Sequence, residues 1–193
     1  MNVSTRILSA CTTLIQTRGF NNFTMDELAA KAGITKATVY RYFNSKDDII
    51  AATVDDFLRK TEMEFLNIIK SNLSPEQIVN NIINHIFKHG HFLFNEQSLN
   101  DMRNSFPHLL NKIDNFRKLH IYGLINSIAE NNPKNEAAID HRIAAAIITS
   151  SVQAVVNPTF LLENDFTFEK AAAQLRPILI FVLNNTQTGI KNT

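Results

Sequence analysis

The sequence holds 193 residues, of which 45% are hydrophobic and 19% charged, with a formal net charge of +1 at pH 7. This length suits one compact domain or a small domain fused to a larger one, and either can bury a substantial core. A single cysteine, Cys11, excludes an internal disulfide and a multi-cysteine zinc site, and no run of about 18–20 apolar residues marks a membrane span. The first residues lack the basic-then-apolar pattern of a secretion signal, so we expect a cytoplasmic protein with no membrane partner.

The chain begins with a predicted amphipathic helix. Apolar residues recur at helical spacing from Ile7 to Ile15, with Ser4 as the expected N-cap and Gly19 as the expected stop. This helix should close a small three-helix core, in which Cys11 is a buried apolar residue rather than a reactive thiol.

Two short helices and a tight turn follow, in the stretch TMDELAAKAGITKATVYRYFNSK that runs from Thr24 to Lys46. Thr24 and Glu27 have the spacing of a capping box, which opens a helix. Gly33 suits the left-handed conformation that ends one, and Thr35 is placed to cap the next. The pattern predicts a helix-turn-helix. The side chains on the outer side of its second helix, which we call the reading face, are Lys36, Ala37, Tyr40 and Arg41.

The distribution of charge agrees with contact to a nucleic acid. Residues 1–50 hold 6 Lys and Arg against 4 Asp and Glu, a net +2, whereas residues 51–193 hold 13 against 14, a net −1. Every side chain between Glu27 and Asp47 that is charged at pH 7 is positive. A phosphate backbone would therefore bind the N-terminal quarter of the chain.

The run from Phe20 to Ile50 closely resembles the N-terminal DNA-binding domain of the tetracycline-repressor (TetR) family of bacterial regulators. The matching motif is long with few gaps, and it covers roughly the first quarter of the chain. The resemblance implies a dimeric, all-helical repressor that responds to a small-molecule effector. The spacing of the residues by itself predicts no more than a helix-turn-helix.

Helix geometry, helped by the family pattern, assigns roles to eight side chains. Lys36 should reach guanine acceptors, and Ala37 should pack against a thymine methyl group. We expect base or backbone contacts from Tyr40 and Arg41. Phosphate contacts are expected from Thr24, Thr38, Tyr42 and Lys46. The alternative for single residues is that the tyrosines belong partly to the core and that the lysines are merely solvated.

The remaining chain predicts only helices. A long one should run from Lys46 to just before Ser74-Pro75, and by resemblance it is the helix that swings in TetR-type repressors. Further helices are expected from Pro75 to about Gly90, over Gln97–Arg103, from Pro107 to about Ala129, over Glu136–Phe160 and over Phe168–Asn184. The prediction is an all-α fold of about nine helices. It divides into a three-helix helix-turn-helix domain at 1–47 and a helical ligand-binding and dimerisation bundle at 48–193.

The last two predicted helices are apolar on two sides, which calls for two packing partners. One partner is the body of the domain, and the other is expected to be the same helix pair of a second subunit. A wholly buried intramolecular pair is the alternative. The residues expected at the interface are Ile143, Ile147, Val155, Leu175, Ile178, Leu179 and Val182. A dimer also suits the DNA, since two recognition helices ~34–36 Å apart would read a palindrome.

The C-terminal bundle should contain an apolar pocket for a small molecule, because 11 of the 14 Phe lie in residues 51–193 among scattered polar residues. The residues expected to line it are Phe65, Phe87, Met102, Phe116, His120 and Gln153. The abundance of Phe favours a lipophilic effector. Any one of these residues is more often plain core, which is the alternative.

Three other functions are weighed against ligand-controlled DNA binding. His85 and His89 have the spacing of a metal-binding pair, but no cysteine or near carboxylate completes a set, so we expect no metal and no cofactor. An enzyme is disfavoured because the sequence lacks a glycine-rich phosphate loop, a nucleophile elbow and paired carboxylates at metal spacing. An activator, or a DNA-binding regulator that needs no ligand, remains the alternative within the same fold.

Overall fold

A computed structural model describes residues 2–71, 73–131 and 139–187 of the chain. Ten α-helices lie in this part: α1 Val3–Arg18, α2 Met25–Ala32, α3 Lys36–Tyr40, α4 Lys46–Lys70, α5 Pro75–Gly90, α6 Glu96–Asn104, α7 Pro107–Asn131, α8 His141–Val155, α9 Pro158–Glu163 and α10 Phe168–Asn184. A 3-10 helix, His91–Leu93, joins α5 to α6, and the two-residue strands β1 (Ile139–Asp140) and β2 (Thr186–Gln187) pair in parallel. The all-α prediction is confirmed, and the short strand pair is an addition to it.

Local side-chain caps set most helix ends where the sequence predicts them. Thr24 and Ser74 each form a complete capping box, and Thr35 and Ser45 cap α3 and α4 by accepting hydrogen bonds from backbone N–H groups three residues on. These bonds satisfy donors that a helix leaves unpaired at its N-terminus. The first helix differs from the prediction, since Asn2 rather than Ser4 is its N-cap.

The helix predicted over Glu136–Phe160 starts outside the described residues, and within them it is too long. Ile139 and Asp140 form the strand β1, and α8 spans only His141–Val155. Asn157 then accepts a hydrogen bond from Phe160 N–H and caps a separate helix, α9, whose first residue is Pro158. This Asn-Pro pair is a start signal of the same kind as Ser74-Pro75.

Helices α1 to α3 form a compact N-terminal unit around a filled core that includes Ile7, Leu28 and Val39, all fully buried. Helix α4 begins where this unit ends and continues for 25 residues into the rest of the chain. The domain boundary predicted at 47/48 falls in the first turn of α4 and stays a prediction. None of the described helices is both long and apolar enough to cross a bilayer.

A polar contact fixes the N-terminal unit onto the bundle. Asp101 of α6 is buried, and its Oδ2 accepts hydrogen bonds from Phe20 N–H at 2.7 Å and Asn21 N–H at 3.1 Å, while its Oδ1 accepts from Asn21 Nδ2 at 2.9 Å. Gly19 has φ +78°, and a Cβ there would lie 2.4 Å from Gln97 Cγ, so only glycine fits this close approach. The turn after α1 is therefore held by α6.

Candidate nucleic-acid interface and ligand cavity

The helix-turn-helix is built by short-range hydrogen bonds and one distant arginine. Gly33 adopts φ 65° at the end of α2, as its sequence position predicts. Arg6 of α1 donates from Nη2 to the carbonyl oxygens of Ala32 at 2.7 Å and Gly33 at 2.8 Å. The guanidinium thus binds the carbonyl end of α2 and fixes the turn. The sequence analysis missed Arg6, because its partners lie 26 and 27 residues away.

The reading face is exposed, as expected for a surface that meets DNA. Lys36, Ala37, Tyr40 and Arg41 are all exposed, with 47% of Tyr40 accessible to solvent. Tyr42, just beyond α3, is 48% exposed, whereas Thr38 is half-buried and its Oγ1 lies 2.9 Å from Thr35 Oγ1. Exposed tyrosines on so short a helix are available to a partner, which disfavours the view that they belong to the core. Their contacts with DNA stay predictions.

Lys36 forms a surface ion pair with Asp26 of α2, with 2.8 Å between Nζ and Oδ2. The Asp26 carboxylate raises the pKa of Lys36. Asp26 is 71% exposed, and ion pairs between exposed residues contribute little to stability. A guanine could therefore replace Asp26 as the partner of Lys36 at small cost.

Lys46, which is expected to contact a phosphate, has an ammonium that is bound within the chain. Its Nζ donates to the carbonyl oxygens of Asn21 at 2.7 Å and Phe23 at 2.8 Å, and it lies 4.1 Å from the centre of the Phe23 ring. Burial lowers the pKa of this lysine. Its contacts hold the turn between α1 and α2, so a phosphate would compete with these carbonyl oxygens, and the phosphate contact of Lys46 stays a prediction.

Thr24 is exposed at the N-terminus of α2, but its hydroxyl is engaged by Glu27. Thr24 Oγ1 accepts from Glu27 N–H at 3.2 Å and lies 3.1 Å from Glu27 Oε2. Hydrogen bonds from the Thr24 backbone and from Arg18 lower the pKa of Glu27 to about 2. A phosphate at Thr24 would thus approach an ionised carboxylate, which weakens the predicted contact.

An apolar cavity lies in the C-terminal bundle between α4, α5, α7, α8 and α10. About 140 Å³ of its space can hold the centre of a water-sized molecule, and part of the cavity opens to solvent. Ligand sites are typically lined in this mostly apolar way. A neighbouring side cavity of about 90 Å³, measured in the same way, is lined by α6, α7 and the segment Val156–Thr159, among others.

The six predicted lining residues fall into four groups. Phe65 and Phe116 line the larger cavity, and Met102 lines the side cavity instead. His120 packs behind the wall, with its ring centre 4.2 Å from that of Phe116 and the two rings tilted by 41°. The prediction is wrong for Phe87, which is 50% exposed, and for Gln153, an exposed residue whose Nε2 lies 3.4 Å from Asp114 Oδ2. Both side chains point away from the cavity because the helices are rotated differently from the sequence-based expectation.

The predicted dimer residues divide in a similar way. Ile143, Ile147 and Ile178 are 57%, 39% and 51% exposed. Phe181, which the sequence analysis did not select, is 65% exposed on α10. We call these four residues the dimer face. The other predicted interface residues face the interior of the same chain and need correction: Leu175 and Val182 are buried, Leu179 lines the larger cavity, and Val155 is half-buried against the core.

The histidines predicted as a weak metal candidate have ordinary contacts. The rings of His85 and His89 are 4.8 Å apart, and His85 Nε2 lies 3.2 Å from Thr61 Oγ1. Burial is the largest cause that lowers the pKa of both side chains. Within the described ranges no three His, Cys, Asp or Glu side chains are grouped as a metal site requires.

Comparisons with known proteins agree with the geometry of the helix-turn-helix. The profile of the family described as "Bacterial regulatory proteins, tetR family" matches residues 7–53. The chain is similar to YvaF of Bacillus subtilis (strain 168), an uncharacterized HTH-type transcriptional regulator, with 28% identity over 173 residues that cover 84% of this chain and 85% of YvaF.

Solved structures share this fold over more than nine-tenths of the chain. FadR from Bacillus subtilis, a transcriptional regulator in complex with stearoyl-CoA, has a TM-score of 0.64 at 17% identity and covers 93% of this chain and 96% of its own. A transcriptional regulator from Cytophaga hutchinsonii has a TM-score of 0.70 at 18% identity, covering 94% and 97%. The exposed reading face and the capped helix-turn-helix lie within residues 7–53, and this N-terminal part of the chain belongs to the tetR family of bacterial regulatory proteins.

Proposed function

We propose that this regulator is a cytoplasmic repressor that binds a palindromic operator as a homodimer and leaves it when a small lipophilic effector enters the larger cavity. The observation that carries the proposal is the position of that cavity. Phe57, Leu58, Thr61 and Phe65 of α4 line it, and α4 starts directly behind the helix-turn-helix. A ligand that moves α4 would change the spacing of two reading faces in a dimer.

The α6 helix offers a second route for the same signal. Leu99 and Met102 line the side cavity, while Asp101 on the same helix binds the turn at Phe20 and Asn21. An effector that favours one arrangement of α4 and α6 would shift the population between conformers that do and do not fit DNA. FadR, which shares the fold and was solved with stearoyl-CoA, supports an effector with an apolar chain.

The DNA role is tested by substitution on the reading face. Lys36→Ala should relax sequence preference at one operator position, since a bidentate contact to guanine contributes about 1–3 kcal/mol of discrimination. Lys170→Ala, an exposed lysine at the start of α10, is the matched control for the loss of one charge. Binding to a panel of single-base operator variants measures both. Equal profiles for the two variants would contradict the role of Lys36.

The dimer is tested on the dimer face. Ile178→Glu should convert the protein to a monomer in sedimentation velocity and abolish tight binding to a palindrome, because one reading face contacts only half of the site. The control is Leu119→Glu, the same change at a side chain that is 69% exposed on α7. A monomeric wild type, or a monomer produced only by the Leu119 variant, would place the interface elsewhere.

An activator, or a regulator that binds DNA without a ligand, remains the second candidate within the fold. The cavity favours ligand control, since a filled core would have served a purely structural bundle better. Footprints with and without a bound effector, and the position of the operator relative to the promoter, distinguish these possibilities. No catalytic role is proposed, and the relatives compared are transcriptional regulators.

A further inference from the structure

The larger cavity and the side cavity share one wall. Five residues line both: Leu93, Phe94, Ile113, Arg117 and Val156. Four of them are apolar, and Arg117 is the charged one. A guanidinium at the junction of two cavities is costly unless it is paired, because burying a charge without partners is unfavourable. Its hydrogen bonds therefore decide what the junction can bind.

Arg117 is incompletely paired. Its Nη1 donates to Asp114 Oδ1 at 3.2 Å and to Val156 O at 2.9 Å, and its side chain is 19% exposed. No hydrogen bond from Nε or Nη2 to the described residues is present. The contact to Asp114 thus joins one nitrogen to one oxygen, whereas a full guanidinium–carboxylate pair uses two parallel bonds. Arginine keeps its charge inside proteins, so two nitrogens retain donors for another acceptor.

The other polar side chains at the two cavities already have partners, apart from the exposed Thr159; Asp114 accepts from Arg117 and from Gln153. Thr61 donates to Phe57 O at 2.9 Å and contacts His85. Asn157 donates to Gln153 O and Ala154 O and accepts from Phe160 N–H. An anionic or carbonyl oxygen needs a donor, and Asp114 offers only acceptors when it is ionised. Arg117 is therefore the strongest donor left for a ligand at the shared wall.

We propose that the effector is an amphiphile whose apolar chain lies in the larger cavity and whose acyl oxygen is bound by Arg117 at the entrance to the side cavity. This deepens the proposed function and rests on it. The larger cavity suits the chain because the described lining is apolar except for Thr61 and Arg117. A free carboxylate and a thioester carbonyl share the required acceptor, and the experiment below separates them.

If Arg117 had a purely structural role, loss of its guanidinium would change ligand binding in a different way. Val156 is the C-cap of α8, so the bond from Arg117 also satisfies a carbonyl at the end of that helix. If this were the whole role, loss of the guanidinium would lower stability and affect all ligands alike. A ligand anchor instead affects only ligands that carry the acyl oxygen.

The test compares three sixteen-carbon probes on the full-length chain: hexadecanoic acid, hexadecanoyl-CoA and hexadecan-1-ol. Dissociation constants come from displacement of a fluorescent fatty-acid analogue, at concentrations below micelle formation. The wild type should bind the acid or the thioester at least about tenfold more tightly than the alcohol, as expected for a charge-assisted hydrogen bond. Preference for the acid identifies a carboxylate head, and preference for the thioester alone identifies an acyl carrier.

Arg117→Met should remove this preference while binding of the alcohol changes by less than about threefold, since the methionine keeps an apolar side chain of similar length. Lys118→Met, at the exposed neighbouring position on α7, is the control and should behave as the wild type. If the methionine variant is unfolded by circular dichroism, Arg117→Lys replaces it, and the retained charge should keep part of the preference.

Four outcomes overturn the proposal: equal binding of all three probes by the wild type, no binding of any of them, an unchanged preference in Arg117→Met, or a preference wholly lost in a folded Arg117→Lys. The proposed function is tested by a different measurement, the release of operator DNA by a bound probe. If a probe binds with the expected preference and yet leaves the operator complex intact, Arg117 is an anchor but the probe is not an inducer. If the alcohol binds as tightly as the acid and releases DNA, the effector cavity stands and the anchor falls.

Discussion

The DNA-binding unit and the C-terminal bundle use the same hydrophobic periodicity to build different interiors. In the first unit the apolar faces of α1, α2 and α3 meet and fill the space between them, leaving Ile7, Leu28 and Val39 fully buried. In the bundle, α5 has an equally clear apolar face, yet only Ile78, Val79 and Gly90 are buried among its 16 residues. The rest of that face, including Ile82, Ile83 and Ile86, borders the larger cavity.

This difference separates the two tasks of the molecule. A filled core allows few alternative packings, which keeps the reading face in one shape. A bundle around a cavity forfeits dispersion contacts, and a ligand of the right shape restores them. Ligand binding can therefore stabilise one conformer of the bundle, whereas the filled core of the unit that reads DNA offers a ligand no such contacts.

The largest expected effect comes from cutting the same side chain in both regions. Leu28→Ala should lower the free energy of unfolding by about 3–4 kcal/mol, because it opens a new void in a filled core. Leu124→Ala should cost only about 1–2 kcal/mol, since Leu124 is buried but already borders the larger cavity and has fewer contacts to lose. Urea denaturation of both variants measures the difference. Equal losses would mean that the cavity collapses in solution.

The contact between the two regions gives the next largest effect. Asp101→Asn exchanges one acceptor oxygen for an amide donor, which then faces N–H groups of Phe20 or Asn21. Leaving such buried groups unpaired should cost about 2–3 kcal/mol and should weaken operator binding as the turn after α1 loosens. Glu96→Gln makes the same chemical change at an exposed site on α6 and should be neutral. If the two variants have the same free energy of unfolding within error, Asp101 does not stabilise the contact between the two regions.

Filling space should have opposite signs in the two regions. Ala172→Met, in the wall of the larger cavity, should stabilise the protein by about 1 kcal/mol, because the longer side chain gains contacts in empty space. It should also block the amphiphile probes. Ala29→Met, buried in the filled core around α2, should destabilise by about 1–3 kcal/mol through overpacking. Thermal denaturation provides the comparison, and destabilisation by both variants would show that the cavity tolerates no added volume.

The same contrast explains how much could be predicted from the sequence. The caps at Thr24, Thr35 and Ser74 and the turn at Gly33 were predicted correctly because each involves residues within a few positions of one another. The contacts of Asp101 span 80 and 81 residues, and no local pattern encodes them. Sequence periodicity also locates an apolar face without showing whether the facing helix fills the space. The cavity was therefore predicted in the right bundle, with only part of its lining identified.

Rotation of the helices accounts for the errors in the predicted sites. Phe87 and Gln153 lie on the correct helices but face solvent. On α10 the apolar residues surround most of the helix, so the spacing could not show that Leu175 and Val182 face inward while Ile178 and Phe181 face outward. Lys46 has the position of a phosphate contact, and only its distance to the Asn21 and Phe23 carbonyls shows its other role.

The smallest expected effect concerns pH, and again the two regions should differ. Hydrogen bonds hold the pKa of Glu27 at about 2, below the ordinary carboxylate value of ~4.3. Its contribution is therefore complete above the unfolded value and is lost only as the pH falls toward 2. In the bundle, burial and then His89 lower the pKa of His85 below the ordinary ~6.5. Its neutral form is the one that suits the fold, so stability should fall as the pH drops below about 6.5.

Between pH 7 and pH 5 the DNA-binding unit should keep its stability while the bundle loses a little. Because Thr61 donates its own hydrogen to Phe57 O, the neutral ring of His85 donates from Nε2 to Thr61 Oγ1, in the wall of the larger cavity. His85→Gln can keep that donor without titrating, so its unfolding midpoint should change less over this range than that of the wild type. Glu27→Gln should leave the slope between pH 7 and pH 5 unaltered. The opposite result would be a pH dependence of the unfolding midpoint that Glu27→Gln changes and His85→Gln does not. The acid-sensitive part would then lie in the unit that reads DNA, and the division between a rigid reader and a deformable sensor would be reversed.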